Sequence, residues 1–319
     1  MGQLVVEPVI EGYAGGVVYS PDYSWHDIMS SGGNAGDHTQ AISLVRWTSE
    51  SVEDTWSGAY RGFMGFDTST LPVGCVITSA TLTLRYYDKK NDLTGSTPAI
   101  AVVEATLASH AAVGMADYGT AGTDLLSDSI AYAAWTSGDR TFTFNAAGLA
   151  YINKTGYTDI SICEVNYDIA DRLDPNNHDP NWVASKVMYM RWVGTGDAPK
   201  PYLTVNYESA PTCTSATPDS AKREETKDII LAGSGLTGST DVDFGANIAV
   251  NSYSVDSDIQ ITANITIAAE AALGARDVVV TAPYGVATLT AGFTVETATP
   301  ITGSGIGAYF ARRIARIGF

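Results

Sequence analysis

Short runs in which small polar and large apolar side chains alternate recur along most of this chain, and they constrain its fold more than any other feature. Residues 81–87 (TLTLRYY) and 141–144 (TFTF) show the alternation most clearly. A period of two places successive side chains on opposite faces of a strand, one toward a core and one toward water. The sequence therefore predicts an all-β protein built from sandwiches. Further strands are predicted at residues 99–103, 159–165, 186–193 and 202–207.

Composition divides the chain near residue 209. All six Trp residues precede this point, and the candidate strands after it are shorter and built from smaller side chains. Chain length alone favours two domains. We predict one β-sandwich domain over residues 1–209, a second over residues 210–300 and a tail over residues 301–319. Helical periodicity is confined to residues 146–153 and, more weakly, to residues 105–112.

The charge balance is strongly acidic, with 35 Asp and Glu against 18 Lys and Arg and a formal net charge of −17. Nucleic-acid binding by the bulk surface is not expected, because such binding relies on basic surfaces. No apolar run reaches the length of a transmembrane helix, and the first residues do not show a signal-peptide pattern. The cysteines are widely spaced and are expected to be buried thiols, with a Cys75–Cys163 disulfide as the alternative.

The last 19 residues carry a basic amphipathic pattern, preceded by a flexible GSG at residues 303–305. So short a segment is marginal as a free helix and should order only when it docks. We predict that it anchors the chain to a capsid or other virion protein, or to a symmetry mate. A membrane surface and packing against its own domain are the alternatives. The predicted anchoring residues are Ile306, Tyr309, Phe310, Arg312, Arg313, Ile314, Arg316, Ile317 and Phe319.

The first domain contains a series of motifs at residues 61–67 (RGFMGFD), 71–72 (LP), 76–84 (VITSATLTL) and 199–207 (PKPYLTVNY). In these motifs it resembles the DNRLRE family of extracellular, carbohydrate-binding-like jelly-roll modules. The resemblance spans residues 10–208 and implies a jelly-roll-like sandwich. The motifs are expected to maintain that fold rather than to carry chemistry.

The second domain carries its own series at residues 229–236 (IILAGSGL), 242–245 (VDFG), 275–281 (ARDVVVT) and 293–295 (FTV). It resembles the IPT/TIG type of immunoglobulin-like domain. Such domains are spacers and interaction modules in surface receptors, secreted enzymes and phage virion proteins, so the resemblance implies a similar role here.

Catalytic motifs are absent from the sequence. The four histidines lie in unrelated contexts, and no HExxH, GxSxG, P-loop or two-cysteine zinc spacing occurs. We therefore predict a non-enzymatic protein.

Residues 166–181 (NYDIADRLDPNNHDPN) concentrate carboxylates and amides. Calcium binds six to eight oxygen ligands, and such a loop could supply several of them. A structural calcium ion is one interpretation, and a hydrated connecting loop is the other. The candidate ligands are Asp168, Asp171, Asp174 and Asp179.

Carbohydrate binding needs exposed aromatic rings with polar groups beside them. Tyr23, Trp25 and Trp56 are the candidate glycan contacts because turn-forming residues surround them. The alternative is that these rings, like most aromatics of a sandwich, pack in the core.

Together these features favour an accessory protein of a bacteriophage virion, such as a capsid decoration, head fibre or tail-associated protein. It would assemble in the host cytoplasm as a homo-oligomer, with a host-surface polysaccharide as a candidate ligand. The alternative is an extracellular protein, either a carbohydrate-binding module or an adhesive filament subunit.

Overall fold

A computed structural model describes residues 2–17, 24–29, 35–37, 42–174 and 180–298. The chain divides into two compact units after Ser209, at the point where the composition changes. The predicted tail, residues 301–319, lies outside the described residues. In the described part, the all-β sandwich fold predicted from the alternation is confirmed.

The described part of the first unit forms twelve strands in one continuous, curled sheet. The neighbouring strands run in the order β1-β12-β6-β11-β4-β5-β10-β7-β8, while β2 pairs with β3 and β5, and β9 pairs with β6. The bounds are β1 Gly2–Val6, β2 Ile10–Val17, β3 Ala35–Asp37, β4 Ile42–Ser49, β5 Trp56–Asp67, β6 Val76–Asn91, β7 Ala99–Glu104, β8 Ile130–Ala131, β9 Asp139–Thr143, β10 Tyr157–Glu164, β11 Val187–Val193 and β12 Tyr202–Glu208.

The longest strand, β6, connects two parts of this sheet. Residues 76–85 pair with β12 and β9, whereas residues 86–91 pair with β11. All of these pairings are antiparallel. Because its neighbours change along its length, β6 carries the sheet around the core that both parts share.

Strands β5 and β10 are covered on both faces. On one face Met64 and Ile160 belong to the main core, which also holds five buried tryptophans. On the other face Phe63 and Cys163 belong to a smaller core, which residues 105–121 help to cover. The sequence around Phe63 reads as a nearly continuous apolar run, as expected for a strand buried on two sides.

Helical structure in the described part of this unit is short. The helix predicted at residues 146–153 is present as α2 Ala146–Tyr151, and the other helices are α1 Trp25–Met29 and α3 Ala170–Leu173. Two 3₁₀ helices span Met115–Thr120 and Tyr132–Ala134, and a π-helical turn spans Val165–Ile169.

The weaker helix prediction, at residues 105–112, is wrong. Carboxylates from elsewhere accept hydrogen bonds from the backbone of this segment: Asp159 from Leu107 N and Asp117 from Ala108 N. These side chains hold residues 105–112 as irregular backbone against the rest of the first unit.

The second unit is a sandwich of two four-stranded sheets, β13-β15-β18-β17 and β14-β20-β19-β16. Its pairs are antiparallel except β14 with β20, which is parallel. The rings of Phe244 and Phe293 meet edge to face, 5.3 Å apart, in the core between the sheets. The bounds are β13 Thr212–Thr217, β14 Ser220–Lys222, β15 Thr226–Ser234, β16 Asp241–Asp243, β17 Ile248–Ser257, β18 Gln260–Ile267, β19 Gly274–Ala282 and β20 Gly285–Glu296.

All three cysteines, Cys75, Cys163 and Cys213, are buried free thiols, so the alternative Cys75–Cys163 disulfide is not present. Within the ranges given above, none of the helices has the length and apolar character needed to cross a membrane.

Candidate functional site

Two of the predicted glycan contacts lie inside the main core. Trp25 and Trp56 are each about 1% exposed, and their rings meet edge to face at 5.0 Å. Trp25 also packs edge to face on Trp47 at 5.1 Å. A sugar-binding ring has to reach solvent, so the prediction for Trp25 and Trp56 is wrong. The third candidate, Tyr23, lies outside the described residues.

Two arginine side chains bind the carboxylate of Asp168, one of the predicted calcium ligands. Arg61 on β5 donates two hydrogen bonds to its carboxylate, of 2.8 Å from Nε and 2.7 Å from Nη2, and Arg172 donates a third from Nε at 3.0 Å. Both members of the Arg61–Asp168 pair are nearly fully buried. This bidentate geometry is the strongest that a carboxylate and a guanidinium form. Asp168 therefore serves as an internal counterion.

The same arginine is held from two further directions. Arg61 Nη1 donates to Tyr118 O at 2.7 Å, and its guanidinium lies over the Tyr118 ring, 3.9 Å from the centroid. Burial opposes the charge on Asp168, but Arg61 and Arg172 outweigh it and hold the pKa of Asp168 below its usual value. The cluster is thus ionised and paired inside the fold.

Glu164, at the end of β10, caps the π-helical turn that carries Asp168. Its carboxylate accepts hydrogen bonds from four backbone N–H groups, those of Ala99, Asn166, Tyr167 and Asp168. Burial raises the pKa of Glu164 to about 8, and the four N–H donors limit that rise. The π-helical turn is therefore fixed by one buried side chain.

Asp171, the next predicted ligand, is fully buried and pairs with a half-exposed histidine. Its Oδ2 lies 3.0 Å from Nδ1 of His26 on α1, while its Oδ1 has no hydrogen-bond partner among the described residues. A buried carboxylate oxygen normally has a partner, so Asp171 keeps the capacity for one more polar contact. An imidazole held by a carboxylate can act as a base toward a serine hydroxyl. The hydroxyl of Ser24, two residues before His26 in the sequence, donates its hydrogen bond to Asp27 at 2.7 Å instead.

The remaining predicted ligands are Asp174 and Asp179. Asp174 ends α3, and Asp179 lies outside the described residues. Within the described ranges, no three His, Cys, Asp or Glu side chains meet in an arrangement suited to a metal ion. Calcium binding by Asp171 with residues of the 166–181 segment therefore remains a prediction.

A surface cavity of about 240 Å³ lies where α2 meets the start of β10, and we call it the Tyr157 pocket. Asn145 caps α2 by accepting a hydrogen bond from Gly148 N at 2.9 Å. At the other end of α2, the Tyr151 hydroxyl donates to Ala105 O at 2.7 Å and accepts from Ala105 N at 3.2 Å. The two Tyr151 bonds tie α2 to the segment after β7. The lining includes Thr106, Tyr151, Asn153, Tyr157, Thr158 and Asp159.

Tyr157, which lines this pocket, stacks on a second ring. The rings of Tyr157 and His110 are nearly parallel, with centroids 3.8 Å apart. His110 Nε2 lies 2.8 Å from Asp159 Oδ1, and Asp159 Oδ2 accepts from Leu107 N at 3.2 Å. Tyr157 nevertheless remains 41% exposed. One face of its ring is therefore backed by an imidazole that is itself held in place.

The side-chain amide of Asn153, which also lines the pocket, has a fixed orientation. Asn153 Oδ1 accepts hydrogen bonds from Thr155 N at 3.0 Å and from Thr155 Oγ1 at 3.1 Å. A backbone N–H can only donate, so the oxygen of the amide must face Thr155 and the Nδ2 amino group must face away. The exposed Asn153 therefore offers N–H donors at the pocket.

Sequence reasoning missed the Tyr157 pocket because its parts come from distant segments: His110 and Asp159 are 49 residues apart. One local signal was available. Residues 153–157 (NKTGY) place an aromatic ring directly after a turn, at the start of a strand. The predicted anchoring residues of the tail all lie outside the described residues.

These features define an all-β protein of two sandwich units, with an ion-paired interior and a small polar and aromatic pocket in the first unit. Residues 210–291 match the model of a family described as quinohemoprotein amine dehydrogenase, alpha subunit domain III. The match covers most of the second unit and none of the first, so it shows a similarity of that unit alone. It does not bear on the IPT/TIG resemblance, which stays a prediction. A search of curated proteins finds no match to this chain.

Proposed function

We propose that this chain is a non-enzymatic display protein of a bacteriophage virion. Residues 301–319 anchor it to a capsid or other virion protein, or to symmetry mates, and the two β units project from the particle. The observation that carries the proposal is the segregation of charge. Residues 1–300 hold 15 basic and 35 acidic side chains, a net charge of −20, while the last 19 residues hold three arginines and no acid.

This distribution suits a projecting protein with one attachment point. Acidic units repel one another and stay soluble, which keeps neighbouring copies apart except where a basic segment meets a complementary surface. Arg312, Arg313 and Arg316 would supply the positive charge that pairs with acidic groups on that surface. The apolar residues between these arginines would add buried area to the contact.

The interior of the first unit supports a structural role rather than a chemical one. The charged cluster around Arg61 and Asp168 is ion-paired and almost inaccessible to solvent. The three buried, unpaired thiols also fit assembly in a reducing compartment such as a bacterial cytoplasm.

The proposal is tested by comparing the full chain with a 1–298 truncation during particle assembly. Mass spectrometry of purified particles should find the full chain and not the truncated one, while both remain folded by circular dichroism. Equal incorporation of the two chains would contradict anchoring by the tail. Absence of the full chain from every particle would contradict the virion assignment.

One observation favours the second candidate, an extracellular carbohydrate-binding or adhesive filament subunit. The Tyr157 pocket places an exposed aromatic ring beside oriented polar groups. If the full chain is instead found on cell surfaces or in filaments, and not in particles, this alternative replaces the first.

A further inference from the structure

We propose that the Tyr157 pocket binds one neutral sugar residue of a surface polysaccharide. This inference rests on the proposed function and deepens it, because it names the class of ligand that the displayed first unit would meet. It assigns to Tyr157, Asn153 and Asp159 the recognition role that Trp25 and Trp56 cannot take.

The Tyr157–His110 stack supplies an aromatic surface for a sugar ring. The imidazole stacks on one face of the Tyr157 ring at 3.8 Å, and Tyr157 is still 41% exposed, so the opposite face of the ring is the one on which a ligand would stack. A flat apolar face with a polar rim matches the C–H face of a pyranose, which has hydroxyls around it. The hydrogen bond from His110 to Asp159 keeps the stack from rotating freely.

The pocket lining also supplies a hydrogen-bond donor and an acceptor. Asn153 offers amide N–H donors, because its oxygen is held by Thr155. Each carboxylate oxygen of Asp159 accepts one hydrogen bond within the protein, from His110 or from Leu107 N, and retains a second lone pair. A sugar hydroxyl both donates and accepts, so adjacent hydroxyls can satisfy both groups together.

Charge selects the class of sugar. Residues 1–209 hold 11 basic and 24 acidic side chains, and Asp159 is the one ionisable carboxylate among the residues that line the pocket. A uronic or sialic acid would therefore be repelled, and a neutral sugar would not. Size limits the occupant to one ring, since about 240 Å³ is below the range of about 300–1,000 Å³ typical of larger ligands.

The same lining favours binding without cleavage. Glycoside hydrolysis ordinarily uses two carboxylates that flank the scissile bond. The described lining of the Tyr157 pocket holds a single acid, Asp159, which is already engaged with His110.

The test is binding of the full chain to a printed array of neutral and uronic-acid-containing bacterial polysaccharides. We expect selective binding to neutral polysaccharides. Tyr157→Ala should weaken it at least tenfold, and so should Asn153→Asp, which keeps the acceptor for Thr155 but removes the N–H donors. Tyr284→Ala is the matched control, because Tyr284 is similarly exposed, at 37%, in the second unit; it should bind as the unaltered chain does.

The outcomes separate this inference from the proposed function. If Tyr157→Ala loses glycan binding and still enters particles, while the 1–298 chain binds glycan and does not enter them, both stand. No binding to any neutral polysaccharide, preferential binding to acidic ones, or unchanged binding by folded Tyr157→Ala and Asn153→Asp would each overturn the inference. None of these three results would affect anchoring by the tail.

Discussion

Arg61 and Asp168 form a bidentate ion pair in the interior of the first unit, although 107 residues separate them in the chain. The pair joins the central strand β5 to the π-helical turn after β10, and Arg172 and Tyr118 complete its surroundings. Because both charges are removed from water, each depends on the other for its stabilisation.

Removing one partner of this pair should be costly. Arg61→Met should lower the free energy of unfolding by about 3–5 kcal/mol, since it leaves Asp168 buried with a weaker counter-charge. Urea unfolding followed by Trp fluorescence measures this, because all six Trp lie before residue 209. The control is Lys200→Met, whose ion pair with Glu7 is largely exposed and should contribute less than about 1 kcal/mol. Equal losses in the two variants would show that the buried pair has no special role.

Glu164 should make the stability of the first unit depend on pH. Its pKa is raised by burial to about 8 in the folded state, against 4.5 for an ordinary Glu. Between these values the folded chain keeps a proton that the unfolded chain has released. The free energy of unfolding should therefore fall as pH rises through this window, by up to about 1.4 kcal/mol per pH unit.

The variant Glu164→Gln cannot titrate, so its unfolding free energy should change less between pH 5 and pH 8 than that of the unaltered chain. Urea titrations at each pH unit, read by Trp fluorescence, give the two slopes. Glu53→Gln, at an exposed position, is the control and should leave the slope unchanged. Identical slopes for all three chains would rule out Glu164 as the titrating group.

Gly148 in α2 should not tolerate a side chain. A Cβ placed there would lie 2.2 Å from the carbonyl oxygen of Leu126, so Gly148→Ala forces α2 to move. We expect a loss of about 1–3 kcal/mol, despite the better helix propensity of Ala. Gly119→Ala, where a Cβ would meet nothing within 4 Å, should leave stability nearly unchanged. Thermal melting of both variants checks this, and a stabilised Gly148→Ala would contradict the packing at α2.

Trp56 should act through stability and not through glycan contact. Trp56→Ala should cost about 3–5 kcal/mol, because it empties a fully packed site between Trp25 and the rest of the core. Tyr87→Ala, at a ring that is 49% exposed, should cost no more than about 1 kcal/mol. Calorimetry on both variants gives the comparison. If the Trp56→Ala chain melted at the same temperature as the unaltered chain and lost glycan binding, Trp56 would be a glycan contact and not a core residue.

Alternation in the sequence was sufficient to predict the strands because it reports a local property, the two faces of a pleated chain. Residues 81–84 and 141–143 lie, as expected, on β6 and β9, which pair with each other. The short helix α2 was also predictable, since its residues 146–151 are small or apolar and follow the capping Asn145.

Whether a single side chain is buried depends on contacts with residues that are distant in the chain. The sequence pattern does not show which residues make those contacts. The residues around Trp25 suggested a turn, but the five-residue helix α1 directs its ring onto Trp47 and Trp56. The acidic residues around Asp168 similarly predict a calcium ligand, but Arg61, from a distant strand, binds its carboxylate. The interpretation as a metal ligand failed at Asp168 because a charged residue's role is set by the charge opposite it.

Electron cryomicroscopy of particles that contain this chain would show whether the arginine-bearing terminal segment fastens two projecting β units to a larger assembly. We expect density for Arg312, Arg313 and Arg316 against acidic groups of a neighbouring subunit. Residues 301–319 free in solvent, with the chain held to the particle by either β unit instead, would contradict it.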